Sequence, residues 1–358
     1  MSGLLHTASA SFQAARRLFQ VGAGHPGRNL HGHGFLVQVW AELPSGWNSF
    51  PGGETDALSQ ALALAVQSLD YQDLNQILEE PGDAELARWI GERLALPGLA
   101  AVKIQTTPDQ GVVVDAQGHE RIWRRFRFEA AHRLPHVPEG HQCGRMHGHG
   151  FEVVLGAASG RGEGDRLGAV WAPFQDRLHQ ACLNDLEGLE NPTSERLAAW
   201  LWRRLAMELP ELQQVAIHET ASAGCGFDGQ SYRIWKDQRF ESAVWLARAP
   251  DGDRRRRLHG HSYLARLHLS APLDEIMGWT LDFGDVSELF RPAREWLDHR
   301  RLDELAGLAD GDPASLVGWI RDQVGGALPQ LQRIDLYQAP GSGVVLAWGT
   351  PEPVLGQP

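Results

Sequence analysis

Cysteine is scarce in this chain. Its 358 residues hold three, Cys143, Cys182 and Cys225, too few for a disulfide-stapled secreted scaffold and odd in number, so at least one stays unpaired. A reducing, cytoplasmic setting fits that composition. Basic charge is also short: 33 Lys and Arg against 45 Asp and Glu leave a formal net charge of −12, a field that repels nucleic acid and anionic membrane. Neither is expected as a partner. No run approaches the roughly 18 consecutive apolar residues of a membrane-spanning helix. The opening MSGLLHTASASFQAARRLF also lacks the basic start and long apolar stretch of a signal peptide, so neither export nor anchoring is expected. Tyr and Met number four each, whereas His numbers 16. The histidines are what the chain has in excess.

Six of them fall in three identical tripeptides, His31-Gly32-His33, His147-Gly148-His149 and His259-Gly260-His261, spaced 116 and 112 residues apart. One third of the chain is about 119 residues, so the spacing predicts a triplicated unit. The flanks repeat in the same order. SFQAARRLF, RFEAAHRLP and RFESAVWLA lie upstream; LDYQDLN, LHQACLN and LDHRRLD lie downstream, followed by PGDAELARWI, NPTSERLAAWL and GDPASLVGWI. We place the units at 1–118, 119–236 and 237–358.

Within each unit the segments after His-Gly-His alternate apolar and polar residues as half-buried strands do, with partner strands before them in long hairpins. Helical stretches follow, among them Ala57–Leu69 and a helix opened by Thr193-Ser194-Glu195. Two short strands close the unit, for example VAIHETASAG and FDGQSYRIW. Short linkers are expected near 115–120 and 235–239. The order strand, strand, helix, helix, strand, strand gives an α+β fold class with antiparallel pairing and helices on one face.

Two His at i and i+2 on a strand point to one face, and a third on the neighbouring strand completes a facial set. In the middle unit that third residue is His132. Three neutral imidazoles with an open fourth position are the ligand set of a catalytic Zn²⁺. The matching outer positions are assigned to Arg16 and Trp245, neither a ligand, so His31/His33 and His259/His261 are expected to persist as packed hairpin residues. Cys143 lies four residues before His147, where Gly27 and Arg255 stand in the other units. It reads either as a small buried residue or as a base or nucleophile whose pKa is lowered beside a metal. Cys182, in a helical run, and Cys225, in a Gly-rich turn, read as structural. Arg254 to Arg257 read either as a solvated loop or as a holder of substrate phosphates.

FEAAHRLPHVPEGHQCGRMHGHGF, LNDLEGLENPTSERLAAWLW and HETASAGC resemble the 6-pyruvoyltetrahydropterin synthase family, most closely its bacterial 6-carboxytetrahydropterin synthases of queuosine biosynthesis, whose pattern is Cys-x-x-x-His-Gly-His. The middle unit resembles the family over nearly its whole length, the outer two mainly through the landmarks above. The resemblance implies the tunnelling fold, with three units forming a pseudo-trimeric 12-stranded antiparallel β-barrel ringed by helices. Two such rings stack in the family, so a homodimer of rings is the partner it suggests.

The same resemblance implies a zinc-dependent lyase acting on a small pterin. His132, His147 and His149 would hold Zn²⁺, Cys143 would abstract the proton, and Glu219, matched by Thr106 and Gln338, would anchor the pterin ring. Thr193 and Ser194 would line the pocket, although a helix cap accounts for them equally well. One departure stands out. The family's Leu-Asp-His relay is Leu178-His179-Gln180 in the middle unit and Leu69-Asp70-Tyr71 in the first, but Leu297-Asp298-His299 in the third. In the family this pair reaches a neighbouring subunit's cysteine, so Asp298 and His299 are expected to complete one composite site at the interface of units two and three. The implied reaction converts 7,8-dihydroneopterin triphosphate to 6-carboxy-5,6,7,8-tetrahydropterin, releasing acetaldehyde and triphosphate. Two alternatives stay open: a pyruvoyl-type or other pterin side-chain lyase, and a catalytically dead pterin-binding scaffold. Whether the shortened stretch 160–173 of the middle unit reshapes the pocket stays open as well.

Overall fold

A computed structural model describes residues 2–159 and 166–348; the part of the shortened stretch at 160–165 lies outside the described residues. One element order occurs three times. The first repeat runs β1 (Ser2–Arg16), β2 (His31–Ala41), α1 (Glu54–Gln67), a two-residue β3 (Gln72–Asp73), α2 (Asp83–Leu94), β4 (Leu99–Thr107) and β5 (Gln110–Asp115). The second runs β6 (Glu120–His132), β7 (His147–Ala158), α3 (Arg166–Leu178), β8 (Ala181–Cys182), α4 (Ser194–Leu205), β9 (Leu212–Thr220) and β10 (Ala223–Phe227). The third runs β11 (Tyr232–Val244), β12 (His259–Leu269), α5 (Phe283–Leu297), β13 (Arg300–Arg301), α6 (Pro313–Val324), β14 (Leu331–Ala339) and β15 (Ser342–Trp348). Setting aside the two-residue bridges, each repeat is ββααββ with antiparallel ladders, so the fold class is α+β as expected.

The chain forms two compact bodies. Of the described residues, one holds those up to Glu120, Asp237–Leu267 and those from Ser287 to Trp348; the other holds those of Arg121–Lys236 together with His268–Val286. The second body thus contains the middle repeat plus the connection from β12 into α5. Its sheet runs β10-β9-β7-β6, with β8 parallel on β6 and the start of β11 on β10. In the first body the order is β5-β4-β2-β1-β15-β14-β12-β11.

Two expectations change here. The expected linker at 235–239 falls inside β11; the chain turns instead between β10 and β11, where Asp228 accepts the N–H groups of Gln230 and Ser231. The closing hairpin of the middle repeat is therefore Leu212–Thr220 with Ala223–Phe227, and Tyr232–Trp235 opens the next repeat. Cys182 lies on the bridge β8 rather than in a helix, and Cys225 is buried on β10 rather than in a turn.

Period-two alternation decides which residues face the helices. On β7 the side chains of His147, His149 and Phe151 share a face while Gly148 and Gly150 are exposed. Phe151 stacks on Phe128 of β6 at 5.0 Å, and both lie in a core with Trp171 of α3 and Leu197 and Trp200 of α4. Phe12 with Phe35 (4.7 Å) and Phe240 with Tyr263 (5.1 Å) repeat the stack. Each His-Gly-His is thus held by an aromatic pair directly behind it. Gly148 has little room for a side chain, since a Cβ there would stand 3.1 Å from the Ala130 carbonyl oxygen across the hairpin.

Candidate metal centre and pterin site

The last residue of β6 and the first of β7 face each other, His132 opposite His147, and His149 follows on the same face. Ring centroids are 4.6 Å apart for His132 and His147, 5.2 Å for His132 and His149, and 5.0 Å for His147 and His149. One ligand atom from each lies within 4.8 Å of the others. Backbone carbonyls select the tautomers. His132 Nδ1 donates to Pro192 O at 3.0 Å and His147 Nδ1 to Arg145 O at 2.7 Å, which leaves each Nε2 as a lone-pair donor. The Nε2 atoms of His132 and His149 are buried with no hydrogen-bond partner. Buried polar atoms seldom stay unsatisfied, so the triad fits a cation that accepts these lone pairs. Burial lowers the pKa of His132 and His149, favouring the neutral form a metal requires.

Glu219, near the end of β9, faces the triad, with Oε1 3.8 Å from His132 Nε2 and 3.6 Å from His149 Nε2. Its other oxygen accepts the Ser194 hydroxyl. Ser194 therefore positions the carboxylate. Thr193 caps α4, accepting the Arg196 N–H at 3.2 Å and donating its hydroxyl to Gly278 O at 2.5 Å. The Cys143 backbone N–H donates to His141 Nδ1 at 3.2 Å. Burial, then the carboxylates of Glu219 and Asp282, push the Cys143 thiol up. The sequence pointed to its histidines and to Glu219, but not to Asp282.

Asp282 exposes what sequence reasoning missed. The connection 268–286, from the third repeat, packs within the second body: Asp282 Oδ2 lies 3.4 Å from His141 Nε2, and Glu195 accepts Thr280 N–H at 2.7 Å and its hydroxyl at 3.0 Å. Burial pushes Glu195 up to about 7 despite those bonds. The available signal was the Leu281-Asp282-Phe283-Gly284 segment, since Asp282 also accepts the Gly284 N–H as a helix-start residue does.

The outer repeats fill the same positions differently. Arg16 replaces His132 and donates to Pro81 O at 2.8 Å and Asp83 Oδ1 at 2.7 Å, so a fixed cation stands where the ligand would be. In the third repeat the matching residue is Val244, not Trp245: counting from the stacked Phe240 as from Phe128 reaches Val244, which ends β11 as His132 ends β6. Asp298 accepts the Glu241 N–H at 2.9 Å and lies 3.1 Å from His299 Nδ1. His299 itself adopts φ 56° and donates its N–H to Glu241 O. Tyr71 and Gln180 repeat that backbone bond to Gln13 and Glu129.

The sequence matches the family model for 6-pyruvoyl tetrahydropterin synthase over residues 121–230 and again over 233–347. The chain belongs to this family. Its matched segments are the second and third repeats. A 6-carboxy-5,6,7,8-tetrahydropterin synthase of Synechocystis sp. is 37% identical over 119 residues, covering 30% of this chain and 91% of that protein. Among solved structures, the 6-pyruvoyl tetrahydropterin synthase of Caenorhabditis elegans aligns at 16% identity over 33% of this chain and 95% of its own, with a TM-score of 0.30. The Plasmodium falciparum family member aligns at 15% identity over 33% of this chain and 98% of its own, with a TM-score of 0.28. No helix among the described residues is long and apolar enough to cross a membrane.

Proposed function

We propose that this chain is a zinc-dependent 6-carboxy-5,6,7,8-tetrahydropterin synthase. It would convert 7,8-dihydroneopterin triphosphate to the 6-carboxy product with release of acetaldehyde and triphosphate, at one site in the second repeat. The observation that carries the reading is the convergence of His132, His147 and His149 with two buried, unsatisfied Nε2 atoms beside Glu219. Family membership and the 37% identical Synechocystis relative support it.

The three histidines would hold Zn²⁺, which supplies Lewis-acid charge to the oxygens of the substrate side chain. Glu219, steadied by Ser194, offers a carboxylate that accepts two parallel N–H bonds from the pterin edge. Cys143 serves as the base for the substrate side chain. Asp298 and His299 complete the proposal as the proton relay, Asp298 fixing the imidazole through the 3.1 Å contact. Zinc-loaded protein incubated with dihydroneopterin triphosphate, with products identified by mass, tests the reaction. A pyruvoyl product would place the chain in another branch, and no pterin product would make it a binding scaffold. An Asp298→Ala, His299→Ala double variant should lose turnover and keep zinc; full activity overturns the relay.

The contact of His141 with Asp282 favours a second reading of the relay alone. His141 accepts the Cys143 N–H on one ring nitrogen and faces a carboxylate with the other. Comparing His141→Asn with His299→Asn separates the two assignments.

A further inference from the structure

The first body contains a cavity of about 430 Å³ that the metal centre does not use. It sits at the His-Gly-His of the third repeat, where His259 and His261 are kept and line it while the third ligand, the thiol and the carboxylate anchor are replaced. Val244 stands for His132, Arg255 for Cys143 and Gln338 for Glu219. An empty, decayed site would be expected to collapse or fill with apolar side chains. This one is open and cationic: Arg254, Arg255 and Arg257 line it against one acid, Asp56.

The arginines divide by partner. Arg255 is held in place, its guanidinium forked on Asp253 at 2.9 and 2.7 Å, 3.3 Å from Asp56 and 4.4 Å from the Phe50 ring centroid. Arg256, which does not line the cavity, is paired with Asp251. The guanidinium groups of Arg254 and Arg257 make no hydrogen bond or close ion pair among the described residues. Two such guanidinium groups lining one cavity suit phosphate oxygens, which accept their planar N–H forks. The lining also holds the apolar Val244, Leu246 and Pro313 and the imidazoles of His259 and His261. Gln338 donates its amide N–H to Asp56 at 3.3 Å, and its carbonyl oxygen takes no hydrogen bond among the described residues.

We propose that this cavity binds an organic polyphosphate, with Arg254 and Arg257 on the phosphates and an uncharged cyclic body against the apolar lining residues and Gln338. The volume lies within the roughly 300–1,000 Å³ of small-molecule pockets, more than an inorganic ion needs. On a chain of net charge −12, such a local positive field also concentrates anions at one place. The inference is independent of the zinc chemistry, since none of the lining residues belongs to the metal centre.

Isothermal titration of the zinc-stripped full chain with ATP and, separately, with inorganic triphosphate tests it. ATP should bind, at least tenfold more tightly than inorganic triphosphate, and more weakly as NaCl is raised. Arg254→Ser with Arg257→Ser should weaken ATP binding at least tenfold, with the far-ultraviolet circular dichroism unchanged, and Arg254→Lys with Arg257→Lys should recover part of it. No binding by the parent chain, or equal ATP affinity in the folded serine variant, overturns the proposal. Equal affinity for ATP and inorganic triphosphate overturns the organic body. Because zinc is absent throughout, none of these results depends on whether the second repeat is catalytic.

Discussion

His141 Nε2 lies 3.4 Å from Asp282 Oδ2, tying the cysteine loop of the second repeat to the connection that leads into α5 of the third. The Asp282 carboxylate also opposes ionisation of Cys143. Asp282→Asn removes that negative charge, so the thiol pKa of zinc-free protein should fall. Alkylation of Cys143 by iodoacetamide, followed by mass spectrometry across pH 6 to 10, should show its midpoint moving to lower pH. An unchanged midpoint would separate Asp282 from the thiol.

Glu195 gives a stability prediction with a definite sign. Its folded pKa of about 7 lies above the ordinary 4.5, so the folded state binds its proton more tightly than the unfolded state does. The stabilisation is complete below about pH 4.5 and is lost as pH rises through about 7, to a limit of about 3 kcal/mol for a shift of that size. Glu195→Gln keeps an acceptor for both Thr280 donors and removes the titration. Denaturation midpoints at pH 5 and pH 8 should therefore lie closer together in the variant than in the parent chain.

Removal of one zinc ligand should abolish metal binding without unfolding the hairpin. His149→Ala leaves Phe151 and its stack in place, so zinc content measured by plasma emission should fall from one per chain to well below one. Turnover should fall by at least about a hundredfold, the order reported for losing an electrophilic stabiliser of a reacting oxygen. Retention of one zinc per chain in the variant would exclude the triad.

Arg16 and Asp83 form an ion pair whose side chains are 5% and 24% exposed. Arg16→Met removes the cation and leaves the Asp83 carboxylate and the Pro81 carbonyl without it. Breaking such a pair from one side costs about 3 kcal/mol, so thermal unfolding should begin several degrees lower. Arg16→Met combined with Asp83→Ser should recover part of that loss, because no buried charge is then left alone.

The repeat order, the hairpins and the triad were legible because they are local. His147 and His149 share a face by strand geometry, and His132 lies at the matching place on the partner strand. Helix α4 was legible from its cap, and Thr193 does accept the Arg196 N–H. What the sequence hid was of two kinds. Boundaries between adjacent strands depended on a turn at Asp228 whose bonds are visible only in three dimensions, so the start of β11 read as the end of the previous unit. Long-range partners were hidden too: nothing near Glu195 announces Thr280, and nothing near Cys143 announces Asp282. The choice of Trp245 over Val244 was a one-residue slip, which on a strand moves a side chain to the opposite face.

The inclusion of His268–Val286 in the same body as Arg121–Lys236 has a consequence for any attempt to borrow the second repeat. A gene fragment cut at its repeat boundary would lack Gly278, Thr280 and Asp282, and with them the acceptor of the Thr193 hydroxyl, both donors to Glu195 and the carboxylate facing His141. Such a fragment would expose the first turn of α4, with Glu195 stripped of the Thr280 donors it has in the whole chain. The middle repeat is therefore not portable by itself, and a graft or minimal expression fragment has to carry the third repeat's connection with it.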